Sequence, residues 1–546
     1  MNPHRRRLLI GSASAAAAAS IGIPTLGATG RPGAEADIHI ELHAEPDQVA
    51  VRPGKLTRVW RYRGKLLRGD AGALDVSTGA YLGPIIRVRR GQRIRIDLIN
   101  GLDESTIIHW HGLHVPEDMD GHPRFAIAPG ARYVYEFVVV NRAGTYWFHP
   151  HPHGRTGKQV YAGLAGLFLV SDAEEAALGL PSGAQDLPLV IQDRNFDADN
   201  QFVYLNGDIG ASARHRPGMM DGQMMGGRMG GGMMGGRMMG GGMSSMMAGM
   251  MGVLGDQILV NGSTQSSRAV ERRAHRLRLL NASNTRTLKL AWSDRTPLTV
   301  IGNDGGLLAS PVRRDYVMLA PAERVDLWVD FGRWAPGAEL TLRSLAFKGG
   351  MDMGGMMMGG NSALPDGAEF AVHRFKIGSG ATKSATLPQR LPAIAPPAPR
   401  LAVNFERPKV FELTMGMMVW GINGASFEML GASELETVKL GTQEIWEFRN
   451  DGRGAMMGMV MPHSMHVHGL QFQVIGRSVS RTFSDEYDTV KAGLVDEGWK
   501  DTVLVMPGER VRILLRFADF PGLFLYHCHM LEHEDTGLMR NYRALA

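Results

Sequence analysis

Cysteine is almost absent from this chain: Cys528 is the only one in 546 residues. No intrachain disulfide can form, so the bridge framework that staples many exported proteins is excluded. A strong excess of either charge is also missing. Lysine and arginine number 59 against 54 aspartates and glutamates, for a formal net charge of +5, and part of that excess belongs to Arg5, Arg6 and Arg7. Nothing in this balance points to a nucleic-acid partner. A long apolar run is lacking too. The stretch from Ile10 to Leu26 is rich in alanine but broken by glycine, serine and Pro24, whereas a spanning helix needs about 20 near-continuous apolar residues. Preceded by Arg5-Arg6-Arg7-Leu8-Leu9, residues 1–35 read as a cleaved export signal of the twin-arginine type. That route carries proteins folded before export and predicts a periplasmic destination without stable membrane insertion. A lone thiol in an oxidising compartment needs protection, and metal ligation would supply it.

What the chain does have is repetition. Pro129-Gly130-Ala131-Arg132-Tyr133, Pro321-Ala322-Glu323-Arg324-Val325 and Pro507-Gly508-Glu509-Arg510-Val511 share a pattern, each followed by alternating apolar residues. A second set precedes them at similar spacing, from Arg93 to Asn100, Arg276 to Asn281 and Glu444 to Asn450. Both sets show the period-2 alternation of strands that end in turn chemistry. Two ordered sets predict an internal repeat of a domain-sized unit, and hence an all-β chain of three consecutive β-sandwiches. Boundaries near residues 175 and 390 give units 36–175, 176–390 and 391–546. The second boundary falls in Pro392-Ala393-Ile394-Ala395-Pro396-Pro397-Ala398-Pro399, a stretch that reads as an extended linker.

The first and third units share more than strands. His109-Trp110-His111-Gly112-Leu113 matches His466-Val467-His468-Gly469-Leu470, and Gly144 through His149-Pro150-His151 matches Gly522 through His527-Cys528-His529. The corresponding stretches of the middle unit, around Leu288 to Trp292 and Gly337 to Thr341, hold no histidine, so that unit reads as a spacer for this chemistry. In a strand, residues i and i+2 lie on one face, so each HxH pair can aim two imidazoles at one place. A single pair is ordinarily surface or core histidine; four pairs in matched positions of repeated units argue otherwise. A pseudo-twofold arrangement of the first and third units would bring eight imidazoles together, a neutral nitrogen set suited to a cluster of borderline metals such as copper. Cys528, flanked by imidazoles and followed by His533, adds the thiolate-and-imidazole set of a blue-copper electron-transfer site.

Four motifs, His109-Trp110-His111-Gly112, Trp147-Phe148-His149-Pro150-His151, His463-Ser464-Met465-His466-Val467-His468-Gly469 and His527-Cys528-His529 with His533, carry a resemblance. Over residues 37–546 the chain resembles three-domain multicopper oxidases of the bacterial laccase or cuprous-oxidase branch. The resemblance implies cupredoxin-like Greek-key β-sandwich domains and four copper ions. Position by position, it implies His463, Cys528 and His533 as type 1 ligands and His109 and His466 as type 2 ligands. His111, His149 and His529 would surround one type 3 copper, and His151, His468 and His527 the other. An electron taken at Cys528 would pass through His527 and His529, and four such oxidations would reduce one dioxygen to two waters. One position departs from the commonest bacterial pattern. The place of an axial methionine is held by Leu538, with Met539 one residue late, which implies a three-coordinate type 1 site of raised potential. The resemblance also implies Asp120 and Glu534 as proton-relay residues, against the plainer readings of a turn residue and a solvated surface charge. His114, His122 and His153 crowd the motifs, but the ligand count is complete without them, so they read as supporting or surface histidines.

Fourteen of the 34 methionines lie between Met219 and Met251, in pairs separated by glycine. A second tract runs through Met351, Met353, Met356, Met357 and Met358. Glycine at this density opposes regular structure, so the longer tract reads as an insertion near 215–252 of the middle unit, not as core. Thioether sulfur selects Cu(I), and Met415, Met417, Met418, Met456, Met457, Met459 and Met461 lie ahead of His463 in the third unit. Together these predict an oxidase, acting as a monomer, that draws electrons from Cu(I), and also from phenolic or aromatic amine donors, in copper tolerance. A general laccase acting on phenols is the alternative. A non-catalytic periplasmic copper-binding or scaffold protein is a third reading, but it should lack ligands that this chain has. Copper nitrite reductase shares the fold without the four HxH motifs.

Overall fold

The period-2 segments are strands, and they recur in one topology. Arg93–Asn100 pairs parallel with Ile38–Val49 and antiparallel with Arg132–Val138. Ala274–Asn281 stands in the same relation to Asp186–Arg194 and Arg324–Asp330, and Thr442–Arg449 to Lys409–Gly416 and Glu509–Phe517. Each trio is contiguous within one sheet, interior in the second and third and reaching the edge at Arg132–Val138 in the first. The facing sheet repeats as well, built on the antiparallel pairs Ile108–His111 with Gly144–Pro150, Leu288–Trp292 with Glu339–Ser344, and His463–Val467 with Gly522–Cys528. Among the described residues, paired sheets of four and five strands fall within 38–171, six and five within 186–381, and five and five within 409–545.

The computed structural model describes residues 35–76, 81–205, 207–208, 251–349, 364–381, 384–416, 419–452 and 460–546. The twin-arginine stretch, Met219 to Met250, Met351 to Met358, Met417, Met418, Met456, Met457 and Met459 lie outside the described residues. Of the remaining methionines near His463, Met415 is buried core and Met461 packs against that core.

Alternation of side chains across each pleat drives the packing. Inward-facing residues build three apolar clusters, one centred on Trp110, Tyr135 and Phe148, one on Leu277, Leu327 and Phe375, and one on Phe411, Trp446 and Tyr526. The turn at Asn303–Gly306 in the middle segment abuts the third. Gly305 donates its backbone N–H to Trp499 O at 2.7 Å, and a Cβ on Gly305 would stand 2.3 Å from the Trp499 Cβ. No helix among the described residues is long and apolar enough to cross a membrane. The helices that matter here are short: Thr156–Ala162 and Leu531–Asp535.

Candidate metal centre

All eight histidines of the HxH pairs are buried, and the strands that carry them meet between the first and third segments. Five have their orientation fixed by an Nδ1–H donor bond: His109 to Asp120 O (2.7 Å), His149 to Pro150 O (2.9 Å), His466 to Asp501 O (2.7 Å), His468 to Asp120 Oδ2 (2.8 Å) and His527 to Cys528 O (3.1 Å). A neutral ring that donates from Nδ1 presents a lone pair at Nε2. Those lone pairs face one another: His109 and His466 Nε2 are 3.3 Å apart, and His468 and His527 Nε2 are 2.9 Å apart. With no proton between them such pairs repel, unless a cation sits where they converge. Two nitrogens bound to one ion at about 2.0 Å with tetrahedral angles stand about 3.3 Å apart, which fits these distances and those of His151 to His527 (3.3 Å) and His149 to His529 (3.2 Å). His111 is turned the other way. Its Nε2 lies 3.1 Å from both Asp501 Oδ1 and Thr502 Oγ1, and its Nδ1 is buried without a hydrogen-bond partner among the described residues.

The triad His151, His468 and His527 converges as a possible ligand set, and so does His109, His466 and His468. The set His111, His149 and His529 is brought together pairwise: His149 meets His529 as above, His111 and His149 share a group with His109, and the His111 and His529 rings are 4.9 Å apart.

Cys528 stands on the far side of the same strand. Its Sγ lies 3.6 Å from His463 Nδ1 and 3.7 Å from His533 Nδ1. An ion about 2.3 Å from sulfur and about 2.0 Å from nitrogen in a trigonal plane sets S and N about 3.7 Å apart. The ladder between Gly522–Cys528 and Met539–Leu545 pairs His527 with Met539, and directly opposed residues share a face. Met539 therefore faces as His527 does. Leu538, whose carbonyl accepts from Cys528 N at 2.9 Å, falls on the Cys528 face and joins its apolar cluster. The Trp420 ring covers both imidazoles, 4.9 Å from His463 and 4.6 Å from His533.

Burial sets the protonation states. It pushes His109, His111, His463, His466, His468 and His529 well below the usual imidazole range, and His149 and His151 to about 3 and about 4. These are neutral rings at pH 7, the form that ligates metal. Burial also pushes the Cys528 thiol up to about 12, so its thiolate exists only beside a cation.

Asp120 and Glu534 are both buried, which removes the surface-charge reading of Glu534. Asp120 braces His109 through its backbone and His468 through its carboxylate. Burial drives its carboxyl well above the usual range. Glu534 Oε2 lies 3.2 Å from His527 Nδ1, and Oε1 lies 3.6 Å from His151 Nε2. Burial opposes its charge, but those two imidazoles hold it down to about 2. The loop bearing Asp120 lies so close to the His109 strand that a Cβ on Gly121 (φ +89°) would stand 2.1 Å from Ile108 O. The three remaining histidines support or flank: His114 bonds to Gly469 O and Asp519, His122 to Asn541, and His153 packs on Phe427.

Residues 66–175 and 402–545 match multicopper oxidase family profiles. A laccase of Bacillus stratosphericus is 30% identical over 522 residues, covering 89% of this chain and 90% of its own. This chain belongs to the multicopper oxidases. The crystal structure of the multicopper oxidase McoA from Aquifex aeolicus superposes with a TM-score of 0.72 at 32% identity, over 94% of this chain and 97% of that one. Cell division protein FtsP of Shigella dysenteriae is also 30% identical, over 84% of this chain and 83% of its own. As a multicopper oxidase the protein is an enzyme of cupredoxin-like fold that uses copper and dioxygen, and the donor set above fits that metal: imidazole throughout, with one thiolate.

The multicopper oxidase motifs left three buried groups unread. Asp501 touches two of the cluster histidines, Arg324 holds Asp501, and Glu532, beside His533, accepts from Tyr204, Asn284 and Thr285 at 2.7–2.9 Å. Arg324, Asn284 and Thr285 come from the middle segment. It contributes no ring to the cluster, as expected, but it is more than a spacer.

Proposed function

We propose that the protein couples one-electron oxidation of Cu(I), and secondarily of phenolic or aromatic amine donors, to the four-electron reduction of dioxygen to water. The observation that carries this reading is the covalent adjacency of Cys528 to His527 and His529. One tripeptide joins the thiolate site to the eight-imidazole cluster. Bound copper supplies one-electron transfer at the first and dioxygen reduction at the second. His463, Cys528 and His533 would hold the type 1 ion, with Leu538 packed in the apolar cluster that contains Cys528. His109 and His466 would hold the type 2 ion; His111, His149 and His529 would hold one type 3 ion, and His151, His468 and His527 the other. His111 would present its free Nδ1. Leu538 and Trp420 keep water from the thiolate. Asp120 and Glu534 are carboxyls whose surroundings push them apart, the pattern of a proton donor and a proton acceptor.

The three units 36–175, 176–390 and 391–546 are the domains of this reading, and the twin-arginine stretch sends the folded monomer to the periplasm. The methionine tracts supply soft ligands for substrate Cu(I). The laccase relative favours a second reading, a general phenol oxidase. The FtsP relative raises a third, a non-catalytic protein, which the complete ligand set disfavours. The discriminating experiment compares steady-state Cu(I) and phenol oxidation by the copper-loaded protein, with and without added Cu(II). Efficient Cu(I) turnover with phenol turnover that depends on added Cu(II) supports the cuprous-oxidase reading. Equal phenol turnover without it points to a laccase, and no turnover of either to the third reading.

A further inference from the structure

The repeated Pro-x-x-Arg motif places an arginine at the head of the same strand in each unit, yet the three meet different fates. Arg132 and Arg510 keep side-chain exposures of 50% and 44% and pair at the rim with Asp97 and Asp451. Arg324 is fully buried, as is its partner Asp501. Its guanidinium meets that carboxylate as a fork, Nη1 to Oδ1 at 2.7 Å and Nη2 to Oδ2 at 2.5 Å. The other three N–H donors are used as well: Nε to Thr145 O, Nη1 to Ala322 O and Nη2 to Asp304 O, each at 2.9 Å. All five donors of the guanidinium are satisfied by groups from all three units, a pattern that lysine cannot reproduce.

Asp501 in turn grips two histidines that the sequence places in different units. Its Oδ1 faces His111 Nε2 at 3.1 Å, and its backbone carbonyl accepts from His466 Nδ1 at 2.7 Å. Those two rings are stacked 3.7 Å apart. Room for the ion pair exists only because residue 112 is glycine: a Cβ there would stand 2.4 Å from Asp501 Oδ2 and 2.9 Å from Arg324 Nη2. Asp304, which accepts from Arg324 N at 2.8 Å, also meets Lys500 at 3.0 Å, so the residue preceding Asp501 is tied to the middle unit too.

We propose that Arg324 of the middle unit is a positioning residue for the copper cluster, setting through Asp501 the tautomer and direction of His111 and His466. The inference rests on the cluster reading above. A positively charged fork fixed on both carboxylate oxygens leaves Asp501 only one orientation. A ring that donates Nε2–H to it must then present the Nδ1 lone pair inward.

The test uses the full-length copper-loaded protein with three variants. Arg324→Met and Arg324→Lys remove or reshape the fork, whereas Arg276→Met breaks another buried ion pair of the same unit, with Asp326 and Glu175, and serves as the control for general destabilisation. The readouts are copper bound per chain, the rate at which a chelator strips cluster copper, the EPR signal of non-blue Cu(II) and the blue thiolate-to-copper absorption. Arg324→Met is expected to keep the blue absorption, to change the non-blue EPR signal and to lose cluster copper at least tenfold faster. Arg324→Lys should shift the EPR signal in the same direction to a smaller extent, and Arg276→Met should leave it in place. A wild-type EPR signal and stripping rate in Arg324→Met, or in Arg324→Lys if the methionine variant does not fold, overturns the proposal. Loss of the same signal in Arg276→Met also overturns it, because any destabilisation would then suffice. Wild-type protein that binds no cluster copper at all would overturn the copper reading and the positioning role together.

Discussion

Removal of the Cys528 proton should be the step that couples metal loading to pH. The thiol is buried and pushed up to about 12, so ionising it at pH 7 costs about 7 kcal/mol at roughly 1.36 kcal/mol per pH unit. Among its neighbours His463 is already neutral, held well below the imidazole range by burial, and has no proton to give up. Binding an ion at this site should therefore release one proton, and it should come from sulfur. Because the thiol stays protonated throughout pH 6–8 without metal, the apparent affinity should rise about tenfold per pH unit, or roughly 2.7 kcal/mol over that range. Anaerobic Cu(I) loading of the metal-free protein in weak buffer, with chelator competition at pH 6, 7 and 8, measures both quantities. Cys528→Ser should yield one proton fewer per chain, lose the blue absorption and substrate oxidation, and still bind copper at the eight-histidine site. An unchanged proton yield in that variant, or an affinity flat across pH, would refute the assignment of Cys528.

Leu538→Met is expected to lower the type 1 potential, because it offers a thioether on the Cys528 face where now only a methyl-bearing side chain packs; a redox titration showing no change or a rise would count against it. Deleting residues 219–251 should reduce Cu(I) oxidation while sparing or raising turnover of phenolic dyes, and a parallel fall of both would mean that the segment serves stability. Gly121→Ala adds a strained positive φ to a 2.1 Å collision with Ile108 O, for a cost of roughly 2–5 kcal/mol; a urea midpoint equal to that of the wild type would contradict the close approach of the Asp120 loop.

Much of this architecture is local and so was legible in the sequence. Strand alternation marks Arg93–Asn100 and its two repeats, and the HxH spacing marks the faces that carry imidazoles, because both depend on residues two apart. Arg324 shows where such reading stops. Its motif is the same as that of Arg132 and Arg510, and what sets it apart is contact with Thr145 and Asp501, 179 and 177 residues away. Asp501 and Glu532 were missed for the same reason: their partners lie 177 and more than 240 residues away. Glu534 could pass for a surface charge because the run Leu531 to Asp535 is mostly acidic. Burial of all four, Arg324, Asp501, Glu532 and Glu534, arises from surroundings drawn from distant parts of the chain.

That run, the helix Leu531–Asp535, also bears on how the two candidate centres are held together. Glu532 is held by Tyr204, Asn284 and Thr285, Glu534 meets His151 and His527, and Asp535 accepts from the backbone N–H groups of Thr156 and Gly157 at 2.9 Å. Its seat is therefore built from groups of both earlier units, and the helix docks only where those units are in place. His527, Cys528, His529 and His533 all lie within one stretch that runs into this helix. A chain lacking that stretch can gather some imidazoles but can complete neither centre, so one short segment held by all three units governs both.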